Sequence, residues 1–68
     1  MLTARERDVL RLLSRGLRYT DIALHLGITR NTTAGHLKNA YRKLEVRSGP
    51  AAVMRAIELR LLGEDAVT

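Results

Sequence analysis

The fold of this chain is decided by residues 21–44, Asp21-Ile-Ala-Leu-His-Leu-Gly-Ile-Thr-Arg-Asn-Thr-Thr-Ala-Gly-His-Leu-Lys-Asn-Ala-Tyr-Arg-Lys-Leu44. This stretch predicts a short helix, a turn at Gly27 where glycine easily adopts a positive φ, and a longer helix capped by Thr29. At about 100° per residue, the longer helix has two distinct faces. One face collects Thr33, Leu37, Ala40 and Leu44, and the opposite face collects Asn31, Gly35, Lys38, Asn39 and Arg42. The first face is suited to packing, and the polar, basic face is free to contact a partner.

Apolar residues recur at spacings of three and four along the rest of the chain, which predicts an all-α fold of four helices. The first helix begins at Thr3, whose hydroxyl can form a capping box with Glu6, and it ends at Gly16. The second helix spans about residues 19–26. The predicted inward residues of these two helices are Val9, Leu10, Leu13 and Leu17, followed by Ile22, Ala23 and Leu26.

The fourth helix begins at Ser48, a capping residue followed by Pro50 in the first turn. It is expected to run to about Leu62, where Gly63 and polar residues stop it. Its predicted inward residues are Val53, Ile57 and Leu61. The whole chain therefore predicts a four-helix bundle in which the second and third helices form a helix-turn-helix.

The length of 68 residues allows one small domain, which we place at residues 1–63 with a short polar tail at 64–68. The chain has no cysteine, and His25 and His36 alone cannot complete a zinc site, so we expect no metal and no other cofactor. It also lacks an apolar run long enough for a membrane span or a signal peptide. We therefore expect a soluble, cytoplasmic protein with no membrane contact.

The net charge of +5 is concentrated in residues 29–47, where five basic residues accompany the single acidic residue Glu45. A concentrated positive charge favours an anionic partner. The only aromatic residues are Tyr19 and Tyr41, which argues against modules that stack on single-stranded bases. Double-stranded DNA is the partner that these features favour, whereas the absence of a convincing acid–base pair or phosphate-binding glycine loop argues against an enzyme.

Several motifs resemble the LuxR/NarL/GerE-type helix-turn-helix domain over about residues 2–62. They are Leu2-Thr-x-Arg5-Glu6-x-x-Val9-Leu10, Gly16-Leu17, Ile22-Ala23, Leu26-x-Ile28, Thr32-x-x-x-His36 and Asn39-x-Tyr41-Arg-Lys-Leu44. The resemblance implies a bacterial transcription regulator whose third helix enters the major groove while the second braces it and the fourth forms a dimer contact. It fits both a stand-alone regulator and the DNA-binding part of a longer one, with the operator and the choice between activation and repression left open.

Some positions depart from the pattern that the resemblance implies. Ala34 and Gly35 stand where the family usually carries larger side chains that contact bases, so operator preference does not carry over. Glu45 occupies a position that is often glycine, and Gly49 one that is often arginine. Arg18 replaces the usual small capping residue of the second helix. These departures lie in and beside the region expected to meet DNA.

The candidate DNA-binding residues lie on and beside the third helix. Lys38 and Arg42 can donate to guanine or to phosphate, although they could also form an ordinary solvated face. Lys43 and Arg47 favour phosphate, with complementation of the helix dipole as the alternative. The residues in the first turn of this helix suit a phosphate, although Thr29 could equally be a plain cap, whereas for Thr32 contact and capping are compatible. The full set is Thr29, Arg30, Asn31, Thr32, Gly35, Lys38, Asn39, Arg42, Lys43 and Arg47.

The fourth helix carries more apolar residues than one buried stripe requires. Together with the resemblance, this surplus predicts a homodimer that is weak without DNA and binds an inverted repeat. The predicted dimer contacts are Met54, Glu58, Leu59 and Leu62. The alternative is a module that does not bind DNA, or one like region 4 of a sigma factor, which contacts RNA polymerase or another regulator.

Overall fold

Four helices form the domain in a computed structural model, which describes residues 1–63. They are α1 (Ala4–Ser14), α2 (Tyr19–Leu26), α3 (Arg30–Leu44) and α4 (Gly49–Glu58), and the described part of the chain contains no strand. The predicted all-α class is thus confirmed, while the predicted tail at 64–68 lies outside the described residues. None of the four helices is long and apolar enough to cross a bilayer.

Three of the helices begin at side-chain caps that were predicted from the sequence. At the start of α1, Thr3 Oγ1 accepts from the Glu6 backbone N–H at 3.1 Å, and Glu6 Oε1 accepts from the Thr3 N–H at 2.9 Å. Thr29 caps α3 and Ser48 caps α4 through hydroxyl oxygens that accept backbone N–H groups. Each cap satisfies an N–H group that has no partner within its helix, and so fixes where that helix starts.

All four helices end in the same hydrogen-bonded turn, with one residue in the left-handed region. In these four turns the residues with positive φ are Gly16, Gly27, Glu45 and Arg60. At the end of α4, the Arg60 N–H donates to the Ile57 carbonyl at 2.9 Å and the Leu61 N–H donates to the Ala56 carbonyl at 2.8 Å, which is a Schellman motif. This turn corrects the predicted extension of the fourth helix to Leu62, because the reversed backbone at Arg60 stops α4 at Glu58.

The core lies between α3 and the other three helices. The predicted inner face of α3 is confirmed, since Thr33, Leu37, Ala40 and Leu44 are all buried. The buried Thr33 hydroxyl donates to the Thr29 carbonyl at 3.0 Å, which removes the cost of leaving a buried donor unpaired. With its inner face packed in this way, α3 has to present its opposite face to solvent.

The predicted inner face of α4 is wrong by one residue. Ala52 and Ala56 are fully buried, whereas Val53, Ile57 and Leu61 are only partly buried at the edge of the core. The small alanine side chains let α4 approach α1 and α3 closely, so the larger residues lie along the flanks. Leu13, Leu17 and Leu26, also predicted to point inward, are likewise partly buried around the core.

Candidate nucleic-acid interface

The outward face of α3 is a continuous exposed surface. Its 15 residues make a helix about 22 Å long, which is enough to lie along a major groove. Asn31, Gly35, Lys38 and Arg42 are exposed and Asn39 is half-buried, so the structure places these five predicted residues on one side of α3. The face therefore combines two cations with amide groups, the donor types that contact both guanine and phosphate.

Arg42 and Asn39 form a pair on this face. Arg42 Nη2 donates to Asn39 Oδ1 at 3.1 Å. The bond uses one of the five guanidinium N–H groups, so the others stay available for an acceptor on a partner. It also restricts the long Arg42 side chain, which reduces the entropy lost when that side chain binds.

The start of α3 is organised by Thr29 and Thr32. Thr29 Oγ1 accepts from the Thr32 N–H at 3.0 Å and donates its own hydrogen to Thr32 Oγ1 at 2.8 Å. The Thr32 hydroxyl hydrogen then remains free for a further acceptor. Capping by Thr29 and an outward contact by Thr32 are thus compatible in this geometry. Arg30, the first residue of α3, extends its guanidinium over the ring of Tyr19, 5.5 Å from the centroid.

Gly35 is not required by packing. A Cβ atom placed there would meet nothing within 4 Å, and the backbone is helical. Glycine at such a position costs roughly 1 kcal/mol relative to alanine. Ala34 beside it is also small, so the first half of the outward face offers backbone and short side chains, whereas the second half offers Lys38 and Arg42.

Lys43 differs from the other predicted DNA-binding residues because it binds Glu6. Lys43 Nζ lies 2.8 Å from Glu6 Oε1, and Glu6 is only 3% exposed. Burial by itself raises the pKa of Glu6, but the hydrogen bonds from Lys43 and Thr3 outweigh it and hold the pKa below its ordinary value. Arg47 is exposed beyond the end of α3. Of the two cations predicted to contact phosphate near that end, Lys43 is therefore already paired with a carboxylate of α1.

The sequence argument did not assign a role to Tyr19 or Tyr41. Their hydroxyl groups lie 3.3 Å apart and join α2 to α3. Burial and the hydrogen bond with Tyr19 raise the pKa of Tyr41, so the Tyr41 phenol stays protonated at neutral pH. The feature of the sequence that could have drawn attention to them is their rarity, because these two residues are the only aromatic side chains in the chain.

The predicted dimer contacts are divided between the surface and the core. Met54 and Leu59 are 59% and 49% exposed, and the exposed Glu58 forms an ion pair with Arg55 at 3.9 Å. Leu62 is fully buried, and its carbonyl accepts from Arg11 Nε at 3.0 Å. This corrects the assignment of Leu62, because the turn at Arg60 folds it into the core of its own chain.

The histidines do not form a metal site. His25 is exposed at the end of α2, and His36 is half-buried on α3. Among the described residues, no group of three or more His, Cys, Asp or Glu side chains could hold a metal ion.

Comparison with known proteins identifies similar domains. Residues 1–56 match the family described as bacterial regulatory proteins, luxR family. The chain is 39% identical over 61 residues to the transcriptional activator protein CarR of Pectobacterium carotovorum subsp. carotovorum, covering 90% of this chain and 25% of CarR. It is 43% identical over 60 residues to the nitrate/nitrite response regulator protein NarP of Escherichia coli (strain K12), covering 88% of this chain and 28% of NarP.

A solved structure shares the fold. The transcription factor GerE superposes with a TM-score of 0.86 at 34% sequence identity, covering 91% of this chain and 92% of the GerE chain. The four-helix arrangement is thus the one found in GerE. By contrast, the chain spans about a quarter of the length of the curated relatives that it matches.

Proposed function

This chain belongs to the luxR family of bacterial regulatory proteins, as a DNA-binding transcription-regulator domain and not an enzyme, and on that premise we propose that it binds double-stranded DNA sequence-specifically with α3 in the major groove. Such binding would place the protein in the cytoplasm, where bacterial DNA lies. The proposed contacts are Thr29, Arg30, Asn31, Thr32, Gly35, Lys38, Asn39, Arg42 and Arg47.

The main support for DNA binding is the division of α3 into a buried face and an exposed face. Four buried residues hold its inner face against the core, so its outward face is fixed in direction by packing. On that face Lys38 and the Arg42–Asn39 pair offer donors suited to guanine O6 and N7. The exposed cations and the short side chains before them would let the helix approach the base edges closely.

We further propose that two copies bind an inverted repeat through a contact at α4. Met54 lies beside an open apolar groove of about 370 Å³ that includes Pro50 and Val53, and Leu59 is half-exposed after the helix ends. With Leu62 buried, the contact would comprise Met54, Glu58 and Leu59. A contact made by these few residues would support a weak dimer, which binding to DNA would strengthen.

The competing function is a contact with RNA polymerase or another regulator without DNA binding. The small residues at Ala34 and Gly35 favour it, because they leave two adjacent positions of α3 without side-chain donors for bases. In that case the partner of the domain would be a protein, and the domain would not bind duplex DNA. Binding to duplex DNA therefore separates the two functions.

The test is a salt titration of binding to a labelled duplex pool, followed by fluorescence anisotropy. The wild type should give a slope of log K against log salt of about −3.6 per monomer, which is about −0.9 for each phosphate neutralised by one of the four proposed cations. Lys38→Ala/Arg42→Ala should flatten that slope by about 1.8 units, corresponding to two lost contacts. The matched control is Arg5→Ala/Arg7→Ala, which removes two charges from α1, on the other side of the core.

The outcomes separate clearly. A flatter slope for the α3 variant with little change for the control supports α3 as the DNA-contacting helix. Equal effects of both variants would mean that only total charge matters and would contradict the proposal. The absence of duplex binding by the wild type even at low salt would favour the protein-contacting module.

A further inference from the structure

The hydrogen bond between Arg42 and Asn39 fixes which way the Asn39 amide faces. Arg42 Nη2 lies 3.1 Å from Asn39 Oδ1, and a guanidinium has no acceptor, so the amide has to present its oxygen to Arg42. The Asn39 amino group, with its two N–H donors, then lies on the other side of the amide. Arg42 is exposed and Asn39 is half-buried, so the core encloses neither side chain. Both members of the pair therefore offer donors to a partner.

The neighbouring polar side chains on the outward face have the same polarity. Lys38 carries an ammonium group, which only donates. The Thr32 hydroxyl oxygen already accepts from Thr29, which leaves the hydroxyl hydrogen for a partner. The sequence of α3 contains no Asp or Glu, and Asn31, which can still accept, lies about two turns before Asn39. From Lys38 to Arg42 the outward face therefore offers donors without a free side-chain acceptor.

A set of donors discriminates between purines in the major groove. Guanine presents two acceptors there, O6 and N7, whereas adenine presents the N7 acceptor beside the N6 amino donor. Asparagine reads adenine by donating to N7 and by accepting from N6 through Oδ1. Here Oδ1 already accepts from Arg42, and a second donor at that oxygen would lie beside the positive guanidinium. Guanine, with acceptors at both places, meets no such conflict.

We propose that Asn39 and Arg42 act as one unit that reads guanine, so that a bound duplex has guanine, and not adenine, at the position that Asn39 faces. The inference rests on the proposed function and deepens it by naming a base. Asn39 is the specificity-determining residue, because the orientation of its amide decides between the two purines. Arg42 sets that orientation and donates its remaining N–H groups to the same guanine or to an adjacent acceptor.

The first experiment selects duplexes from a random pool and compares the bases that the wild type and its variants prefer. Asn39→Ala identifies the position that Asn39 reads, because the preference should be lost there. The wild type should select guanine at this position, and replacing that G·C pair by A·T should cost about 5- to 150-fold in affinity, the range for a bidentate base contact. Arg42→Met frees Asn39 Oδ1 and should change the preferred base at this position from guanine to adenine.

The matched control is Lys38→Met. It removes the same charge from the same face but leaves the hydrogen bond between Arg42 and Asn39 intact. It should weaken binding and still select guanine at the Asn39 position. If Arg42→Met selects guanine there as the wild type does, or if Lys38→Met also changes to adenine, the Asn39–Arg42 pair does not set the base preference.

The second experiment changes single atoms of the selected guanine. Replacement by 7-deazaguanine removes the N7 acceptor and should weaken binding of the wild type severalfold. Replacement by hypoxanthine removes only the amino group in the minor groove and should leave the affinity unchanged. Asn39→Ala/Arg42→Met should bind the guanine and 7-deazaguanine duplexes equally. Equal losses of wild-type affinity with both modified bases would contradict reading through the major-groove edge.

The outcomes distinguish failure of this inference from failure of the proposed function. A wild type that selects a sequence with a base other than guanine at the Asn39 position overturns the inference alone. The salt slope of Lys38→Ala/Arg42→Ala still reports whether α3 contacts DNA, whichever base is selected. A wild type that binds no duplex at low salt overturns both.

Discussion

Lys43 Nζ lies 2.8 Å from Glu6 Oε1, which ties the last turn of α3 to the first turn of α1. The same carboxylate oxygen accepts from the Thr3 N–H at 2.9 Å. Glu6 therefore completes the cap of α1 and holds one end of the proposed DNA-contacting helix. This contact spans 37 positions of sequence and adds a polar link between α1 and α3 to the packing of their buried side chains.

Lys43→Met should destabilise the domain by about 1–3 kcal/mol, because it leaves the buried Glu6 carboxylate without its charged partner. Methionine keeps most of the length and apolar volume of lysine, so the loss reports on the charge. The control Lys38→Met, at an exposed position of the same helix, should change the free energy of unfolding by less than about 0.5 kcal/mol. Urea denaturation measures both, and equal effects would contradict the role of the ion pair.

The same pair predicts a pH dependence. The folded-state pKa of Glu6 is lowered from 4.5, so its contribution to stability is present above the unfolded pKa and is lost as pH falls through the lower folded value. In Lys43→Met, burial would raise the pKa of Glu6 instead, and protonation of Glu6 would remove the cost of burying an unpaired carboxylate. The difference in unfolding free energy between wild type and variant should therefore shrink from about pH 7 to about pH 3. A difference that stays constant over this pH range would contradict the role of the Glu6–Lys43 ion pair.

Glu45→Gly should stabilise the domain by about 1 kcal/mol. Glu45 has φ of 58° at the end of α3, a left-handed conformation that costs a residue with a side chain roughly 1–2 kcal/mol. Glycine avoids this cost, but it loses more conformational entropy on folding, which offsets part of the gain in stability. Glu45→Ala removes the same charge but keeps the strain, and so should not stabilise. Thermal denaturation of the three proteins separates backbone strain from charge.

Gly35→Ala should also stabilise the domain by roughly 1 kcal/mol, for a different reason. Alanine favours the helix, and a Cβ at this position would meet nothing within 4 Å. For a domain of this size, the change corresponds to a rise in Tm of about 4–8 °C. An unchanged or lower Tm would show that position 35 is not simply an open helical site.

The division of α3 into two faces could be predicted because most of its apolar residues repeat with the helical period and lie on one face. The face of α4 could not, because alanines and larger apolar residues occupy adjacent positions, and only packing against α1 and α3 decides which are buried. Contacts such as Tyr19 with Arg30, or Glu6 with Lys43, depend on how the helices are oriented in space. Sequence periodicity contains no information on that orientation.

Leu59→Glu should abolish self-association while leaving the fold intact, because it places a charge on a half-exposed residue of the proposed dimer contact. Leu24→Glu is the matched control, since Leu24 on α2 is 82% exposed and lies outside that contact. Sedimentation over a concentration series should show a rising average mass for the wild type and for Leu24→Glu, and a constant monomer mass for Leu59→Glu. Cooperative binding to an inverted repeat should be lost in Leu59→Glu. If Leu59→Glu associates like the wild type, the dimer contact lies elsewhere.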